Sequence, residues 1–328
     1  MNKYLTLWTT IAFIAFGSSG CSFFKATPKN YVIIVAGQSQ AIGRPIIETL
    51  QEKYPDVYNH KFKTKVWVDN LIESGGRDST SHFSVPNPYK SEWDLLQIKP
   101  LDRQFLQSDV GSHGLEPFLA YEFEKRHPND TLYIIKFAYG GIPLAHDNVH
   151  DLDWNPNQAD QYRRMYWAFT NYVLPEAFAS LKASGQTFIP LGLVWAQGET
   201  DGSASNPEWT HVAGNDHVYL DNLTELFSAM QKKVPEVKSF KKYVLQSVSG
   251  FDTNGSPSHP DPEPSVKSPY VKQYVVPDQI QFCKKRANNA ELIPTDNLPI
   301  IGTTYNANPH FSTDAYYLLS QTLLSKML

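Results

Sequence analysis

The sequence has almost no cysteine, and this scarcity limits how the protein can be stabilised. Of its 328 residues only two are cysteines, Cys21 and Cys283. A disulfide framework is therefore excluded, because scaffolds of that kind need several cysteine pairs. Cys283 lies in a stretch of helical pattern with no catalytic motif around it, and we expect it to be a small buried hydrophobe. The stability of the protein must come from a hydrophobic core.

The sequence also lacks a run of basic residues. Its 29 Lys and Arg against 33 Asp and Glu give a net charge of -4, and the charges are spread evenly. This pattern argues against nucleic acid as a partner, because binding to a phosphate backbone requires clustered cations. A neutral or weakly polar substrate fits the composition better.

The apolar run at the N-terminus, residues 4–16, is too short to span a bilayer comfortably. It follows "MNK" and precedes "GSSGC", which is the order of a secretory signal, so we predict that residues 1–21 are a signal peptide and that the protein is exported. Small residues before Cys21 resemble a bacterial lipoprotein box, although Ser18 stands where Leu is usual. We expect a lipidated Cys21 that anchors the protein to a membrane. The alternative is a conventional cleavage site and a periplasmic or secreted protein.

Short apolar runs alternate with helical spacing along the rest of the chain. The predicted strands are residues 31–35, 65–68, 132–137, 189–195, 243–248 and 298–303. The predicted helices are residues 117–126, 161–182, 218–233, 277–292 and 313–327. This alternation is typical of a mainly parallel sheet covered on both faces, so we expect one α/β domain over residues 28–328. Two segments outside the pattern, 69–113 and 251–273, are expected to be loops that wall a substrate site or decorate the surface.

Polar residues and glycines follow three of the predicted strands. Ser39 follows the first strand in "GQSQ", and a glycine pair, Gly140 and Gly141, follows the third in "YGGIPLA". Gln197 follows the fourth strand in "WAQGETDG", and His310 precedes the last helix. Because the ligands of open α/β sheets bind beyond the carboxyl ends of the strands, we expect these residues to share one site.

These residue types suit acyl transfer. A serine in a tight turn exposes its Oγ as a nucleophile, and His310 could take the Ser39 proton and return it to the leaving group. Backbone N–H groups at the glycine pair and the Gln197 amide could stabilise an oxyanion. Each signal is weak when taken singly, because strand-end serines and glycines are also ordinary turn residues.

Four motifs in this order resemble those of the sialate O-acetylesterase and acetylxylan esterase relatives of the SGNH hydrolases. They are "GQSQ", "YGGIPLA", "WAQGETDG" and "HFSTDAYYLL", and the usual forms are GQSN, GGTSLA, WYQGESD and D-x-x-HFS-x-x-G. The resemblance implies a three-layer αβα sandwich with a mainly parallel, flavodoxin-like sheet. It also implies a serine esterase that removes O-acetyl groups from a carbohydrate, without a cofactor or a metal.

The resemblance assigns roles to individual residues. Ser39 is the nucleophile and His310 is the general base. The oxyanion hole consists of main-chain N–H groups and one side-chain amide, from Ser39, Gly140 or Gly141, and Gln197. Two neighbours of the nucleophile are predicted to bind substrate: Gln38, and Gln40 in place of the usual Asn.

The sequence departs from the family at the acid that orients the histidine. Three residues before His310, where the family has Asp, this chain has Ala307. Glu199 is our first choice for the orienting acid because it follows the same strand as Gln197, although a structural hydrogen bond explains Glu199 equally well. The alternatives for holding the imidazole are a backbone carbonyl, Asp201, Asp296, Asn306 and Asn308. The loss of the acid also favours a second hypothesis, a catalytically impaired cell-surface carbohydrate-binding protein, and a short-chain lipase or thioesterase is a third.

A segment rich in His and Asp, "AHDNVHDLDW", follows the glycine pair and places His146 and His150 four residues apart. On a helix this spacing could ligate a metal ion. Because no H-E-x-x-H motif is present, we expect a polar loop on the substrate side.

Overall fold

The structure is a computed structural model that describes residues 27–68, 72–74, 82–84, 91–98, 111–146, 152–157, 165–202, 206–248, 270–301 and 310–328. The predicted signal peptide with Cys21, most of the two predicted loops, and the segment from Asn306 to Asn308 lie outside these residues. Among the described helices, none combines the length and apolar character needed to cross a bilayer.

A seven-stranded sheet organises the described part of the chain. The described strands in chain order are β1 (Asn30–Gly37), β2 (Lys65–Val68), β3 (Ile72–Ser74), β4 (His82–Ser84), β5 (Glu92–Leu95), β6 (Thr131–Ala138), β7 (Ile189–Ala196), β8 (Lys242–Leu245) and β9 (Ala290–Ile293). Strands β3 and β4 form a separate antiparallel pair, and the other strands form the large sheet. The order in the large sheet is β5-β2-β6-β1-β7-β8-β9. Only the edge pair β5–β2 of this sheet is antiparallel, which confirms the mainly parallel arrangement.

The strand order places β1 at the centre of the sheet, between β6 and β7. Counted in chain order, the six parallel strands read 2-3-1-4-5-6, so the third lies between the second and the first, unlike the 2-1-3-4-5 order of flavodoxin. Gly37 at the end of β1 aligns with Ala138 of β6 on one side and with Ala196 of β7 on the other. Three strand ends therefore lie side by side in the middle of the sheet.

Helices connect the strands. They are α1 (Ser39–Ile42), α2 (Ile47–Lys53), α3 (Pro55–Tyr58), α4 (Glu116–Arg126), α5 (Met165–Ala168), α6 (Leu174–Ala183), α7 (Val218–Lys233), α8 (Val276–Lys284) and α9 (Thr313–Met327). A π-helical turn, Phe169–Val173, joins α5 to α6, and another, Val271–Val275, leads into α8. Single 3-10 turns occur at Pro207–Trp209, Pro235–Ser239 and Arg286–Asn288.

The alternation of side chains along β1 divides the apolar interior into two cores. Val32, Ile34 and Ala36 contribute to the core that also contains apolar residues of α6, α7 and α8. Ile33 and Val35 face the opposite core, which contains residues of α1 to α4 and of α9. Because successive side chains of a strand point to opposite faces, helices cover both sides of the sheet. The three-layer αβα sandwich is confirmed.

Two predicted elements near the C-terminus are wrong. The predicted helix 277–292 ends as α8 at Lys284, because Lys285 is extended with a ψ of 107°. A 3-10 turn and the left-handed Asn289, with a φ of 47°, then lead the chain into β9. The predicted strand at 298–303 is replaced, in its described part, by a single antiparallel bridge between Ile300 and Phe311. The edge position next to β8 is already occupied by β9. By contrast, the helices predicted at 218–233 and 313–327 are confirmed at both ends.

Gly37 permits the close approach of β1 and β7 at the centre of the sheet. Its φ is 141°, and a Cβ atom at this position would lie 2.1 Å from the carbonyl oxygen of Ala196. Gly37→Ala must therefore displace the backbone, and we expect it to lower the free energy of unfolding by about 3 kcal/mol in urea denaturation. Gly185→Ala is the matched control, because φ is +70° but nothing lies within 4 Å of the added atom. The control should lose only about 1 kcal/mol, and equal losses in the two variants would contradict the steric argument.

Candidate active site

The turn after β1 presents Ser39 at the carboxyl edge of the sheet. The N–H of Gln38 donates to the carbonyl of Ala196 at 2.9 Å, and α1 begins at the next residue. The N–H of Gly43 donates to the Ser39 carbonyl at 3.1 Å, which closes this short helix. Ser39 itself is half-buried.

The aligned ends of β1, β6 and β7 bring the predicted site segments together. The N–H of Tyr139 donates to the carbonyl of Gly37 at 3.3 Å, which ties the end of β6 to the end of β1. The glycine pair follows directly, and the second glycine has a φ of 71°. Gln197 is the first residue after β7. The structure thus places at one edge of the sheet Ser39, Gly140, Gly141 and Gln197.

Protein groups hold the Gln197 side-chain amide. Its Nε2 donates to the Asp201 carboxylate and, at 3.3 Å, to the carbonyl of Ile142. Its Oε1 accepts a hydrogen bond from the Tyr219 hydroxyl at 3.2 Å. Both N–H bonds of the amide are therefore directed at protein acceptors, and the oxyanion role of Gln197 stays a prediction.

Asp201 is a fully buried carboxylate that anchors the backbone after the glycine pair. It accepts hydrogen bonds from the N–H groups of Leu144 and Ala145, each at 2.9 Å. Burial raises the pKa of Asp201 to about 6, although these hydrogen bonds favour the ionised form. The sequence indicates Asp201 only as an alternative orienting acid, because no motif shows which backbone groups a carboxylate will meet.

Glu199 supports the turn that carries the nucleophile. Its Oε2 accepts a hydrogen bond from Gln38 Nε2 at 2.6 Å, and its Oε1 accepts one from the N–H of Val248 at 2.9 Å. Burial raises the pKa of Glu199 to about 7, and the nearby charge of Asp201 acts in the same direction. These contacts agree with a structural hydrogen bond, while the orientation of His310 by Glu199 stays a prediction.

Gln40 joins the nucleophile turn to the C-terminal segment. Its side-chain Oε1 accepts a hydrogen bond from the N–H of Phe311 at 3.1 Å, and its carbonyl accepts one from the Tyr316 hydroxyl at 2.9 Å. Gln40 and Phe311 are 271 residues apart in the chain. Since Ser39 and His310 directly precede these two residues, the structure brings the serine and histidine segments to the same place.

Both glutamines beside Ser39 are buried. Gln38 is 1% exposed and Gln40 is 3% exposed, and the amide of each binds a protein group. The structure therefore gives both a structural contact, and their predicted contact with substrate stays a prediction.

His310 is half-buried beside a cation. Burial lowers its pKa to about 4, and the positive charge of Arg44 acts in the same direction. Such an imidazole is neutral at pH 7, which is the state that accepts a proton. Arg44 was missed by sequence reasoning because a single basic residue after a turn glycine forms no motif.

Among the alternative orienting groups, Asp296 accepts a hydrogen bond from Gln246 Nε2 at 2.5 Å.

A buried ion pair fixes the far end of α1. Lys136 Nζ lies 2.6 Å from Glu116 Oε1 and donates to the carbonyl of Ile42, the last residue of α1, also at 2.6 Å. Both charged side chains are almost fully buried. Removing one partner of such a pair leaves an uncompensated charge, so the contact restrains the helix that begins at Ser39.

The predicted polar loop after the glycine pair is described only in part, because His150 lies outside the described residues. His146 is described and contacts Asp153. In the part of the chain that the structure describes, no group of three or more His, Cys, Asp or Glu side chains could hold a metal ion.

Glu199 should make the stability of the protein depend on pH between about 4.5 and 7. Folding raises the pKa of this carboxyl from 4.5 to about 7, so the folded protein binds the proton more tightly than the unfolded chain. Its contribution to the free energy of unfolding is largest below pH 4.5, and it declines by roughly 3 kcal/mol as the pH rises to about 7. Glu199→Gln should remove this decline, which urea unfolding at a series of pH values measures.

The control for this experiment is Glu176→Gln, at an exposed position of α6, which should follow the wild-type pH dependence. Parallel curves for the wild type and Glu199→Gln would contradict the raised pKa of the buried Glu199 carboxyl.

Comparisons with known proteins concern the fold. A scan against protein-family models and a search of curated proteins find no match. Among solved structures, a protein from Arabidopsis thaliana matches with a TM-score of 0.56 and 15% identity, over 92% of this chain and 100% of its own. NanS matches with a TM-score of 0.54 and 13% identity, over 91% of this chain and 98% of its own. A carbohydrate acetylesterase from Xanthomonas citri matches with a TM-score of 0.48 and 14% identity, over 89% of this chain and 54% of its own.

These similarities extend over nearly the whole described sandwich, although the sequence identities are low. The chain therefore shares its three-layer αβα fold with the Arabidopsis thaliana protein and with NanS.

Proposed function

We propose that the protein is a serine ester hydrolase that removes O-acetyl groups from a carbohydrate. The observation that carries this proposal is the hydrogen bond from the Phe311 N–H to Gln40 Oε1, at 3.1 Å. It joins the residue after Ser39 to the residue after His310. A hydroxyl and a neutral imidazole at one strand edge are the two groups that acyl transfer through a covalent intermediate requires.

The reaction begins when Ser39 Oγ attacks the ester carbonyl carbon and His310 takes the hydroxyl proton. The C–O bond to the sugar then breaks, which leaves acetyl-Ser39, and the imidazolium returns its proton to the departing sugar oxygen. His310 next takes a proton from water as the water attacks the acetyl group. Acetate leaves, and the proton on His310 restores the Ser39 hydroxyl.

Negative charge develops on the carbonyl oxygen in both halves of the reaction. We assign its stabilisation to the N–H of Ser39 and to an N–H of the glycine pair Gly140–Gly141, on the neighbouring strand end. One preorganised donor of this kind is typically worth about 2.7 to 4 kcal/mol of the barrier. The left-handed φ of Gly141 lets the backbone turn sharply at this position.

Two further points support a carbohydrate ester as the substrate class. The order of the four sequence motifs resembles that of carbohydrate O-acetylesterases, and the weak net charge of -4 suits a neutral substrate. An exported protein that is lipidated at Cys21 would meet such a substrate outside the cytoplasm, and we include export and anchoring in the proposal.

One observation favours a second candidate function. Ala307 stands where the orienting acid is usual, so the chain would bind carbohydrate without hydrolysing it if no other group orients His310. Wild-type protein that binds acetylated glycans and turns over no acetyl ester would favour this second candidate.

Replacing the nucleophile or the base should abolish most of the esterase activity. We expect Ser39→Ala to lower the turnover of p-nitrophenyl acetate by at least about three orders of magnitude, and His310→Ala to lower it by about 100-fold to 10,000-fold. His60→Ala is the control, because His60 contacts Glu124, which accepts a hydrogen bond from the N–H of Thr64 at the amino end of β2. Turnover that is unchanged in either site variant would reject the assignment.

A further inference from the structure

A pair formed by a histidine and a carboxylate lies beside the candidate active site. His146 Nδ1 is 3.1 Å from Asp153 Oδ2. Asp153 is fully buried, and its other oxygen accepts a hydrogen bond from the N–H of Asn155 at 3.0 Å. The His146 side chain is 25% exposed. The pair therefore joins a buried, fixed carboxylate to an imidazole that reaches solvent.

The backbone before His146 is fixed to the site. The N–H groups of Leu144 and Ala145 both donate to the buried Asp201 carboxylate. Asp201 in turn accepts a hydrogen bond from Gln197, the first residue after β7. His146 thus follows a segment that is held against the carboxyl end of the central strands.

The backbone after Asp153 is fixed to the same edge. The indole Nε1 of Trp154 donates to the carbonyl of Gly37 at 3.3 Å, and Gly37 ends β1 two residues before Ser39. The N–H of Trp154 also donates to the carbonyl of Pro143 at 3.1 Å, which closes the loop at its base. The contact between His146 and Asp153 is therefore held next to the turn that carries the nucleophile.

The chemistry of the pair suits recognition of a hydroxyl. A carboxylate only accepts hydrogen bonds, so in a neutral imidazole the contact with Asp153 selects the tautomer with its proton on Nδ1 and its lone pair on Nε2. A ring nitrogen with a lone pair accepts a hydrogen bond from an alcohol. A partly acetylated sugar presents free hydroxyls next to the acetylated oxygen.

We propose that His146 binds a free hydroxyl of the sugar that carries the acetyl group, and that Asp153 positions the imidazole for this contact. The inference rests on the proposed esterase function and adds a specificity-determining residue to it. It predicts that His146 matters for sugar esters and not for esters that lack a neighbouring hydroxyl.

The chain contains a matched control pair. His127 Nδ1 lies 3.1 Å from Asp130 Oδ2, and the His127 side chain is 29% exposed. These are the same atoms at the same distance and with similar exposure. His127 precedes β6 whereas His146 follows it, so the two pairs lie at opposite ends of one strand.

The experiment compares two kinds of ester in purified full-length protein. One is a panel of mono-O-acetylated methyl glycosides, which keep free hydroxyls, and the other is p-nitrophenyl acetate, which has none. We expect His146→Ala to lower kcat/KM for the glycosides by about 10-fold to 100-fold, mainly by raising KM. Its kcat/KM for p-nitrophenyl acetate should stay within about twofold of the wild-type value. Asp153→Asn should raise KM for the glycosides and leave the turnover of p-nitrophenyl acetate unchanged. His127→Ala should change the turnover of neither ester. His146→Phe repeats the test if the alanine variant fails to fold.

The outcomes separate this inference from the proposed function. Ser39→Ala should be inactive on both esters, which tests the esterase mechanism alone. Equal losses on both esters in the His146 variants, or no loss on either, would overturn the role of His146 and leave the mechanism intact. If the wild type hydrolyses neither ester, calorimetric titration with the same glycosides tests the role of His146 through binding. Glycoside binding that is absent in the wild type, or equally tight in the wild type and His146→Ala, would overturn the inference.

Discussion

Two hydrogen bonds on Gln40 hold the two ends of the described chain at one place. The side chain accepts one from the Phe311 N–H, and the carbonyl accepts one from the Tyr316 hydroxyl. Ser39 and His310 directly precede Gln40 and Phe311, so these bonds limit how far apart the serine and the imidazole can lie. The two segments are separated by 271 residues, and only the assembled sheet with α9 packed on it brings them together. The candidate chemistry therefore depends on a long-range contact.

Two buried carboxylates organise the backbone around that contact. Glu199 binds Gln38 on the nucleophile turn, and Asp201 binds the N–H groups of Leu144 and Ala145 after the glycine pair. Burial raises the pKa of both acids, to about 7 and about 6, so ionising them in the interior costs free energy. Their hydrogen bonds offset part of this cost. These hydrogen bonds also fix the backbone at two strand ends, where acyl transfer needs preorganised donors.

The sequence predicts those helices and strands of the fold that a local pattern of apolar residues determines. The helices α7 and α9 have clear apolar periodicity, and the buried central strands are continuous apolar runs. The edge strand β9 was missed because its four residues continue the apolar spacing of α8, although the helix itself ends at Lys284 and the left-handed Asn289 precedes the strand. The strand-end rule predicts the segments of the site, but not the partners of Glu199. Those partners depend on which distant strands lie side by side in the sheet. The proximity of Arg44 to His310 likewise depends on the assembled fold.

The central claim is that Ser39 is a nucleophile that His310 activates. The most direct measurement is the reaction of the purified protein with a fluorophosphonate, followed by mass spectrometry of its peptides, because this reagent captures a serine by the same attack that an ester undergoes. The account predicts one phosphonyl group on the peptide that contains Ser39, and labelling that is about 100-fold slower in His310→Ala. Labelling of a different serine, or labelling of Ser39 at an unchanged rate without His310, would contradict it.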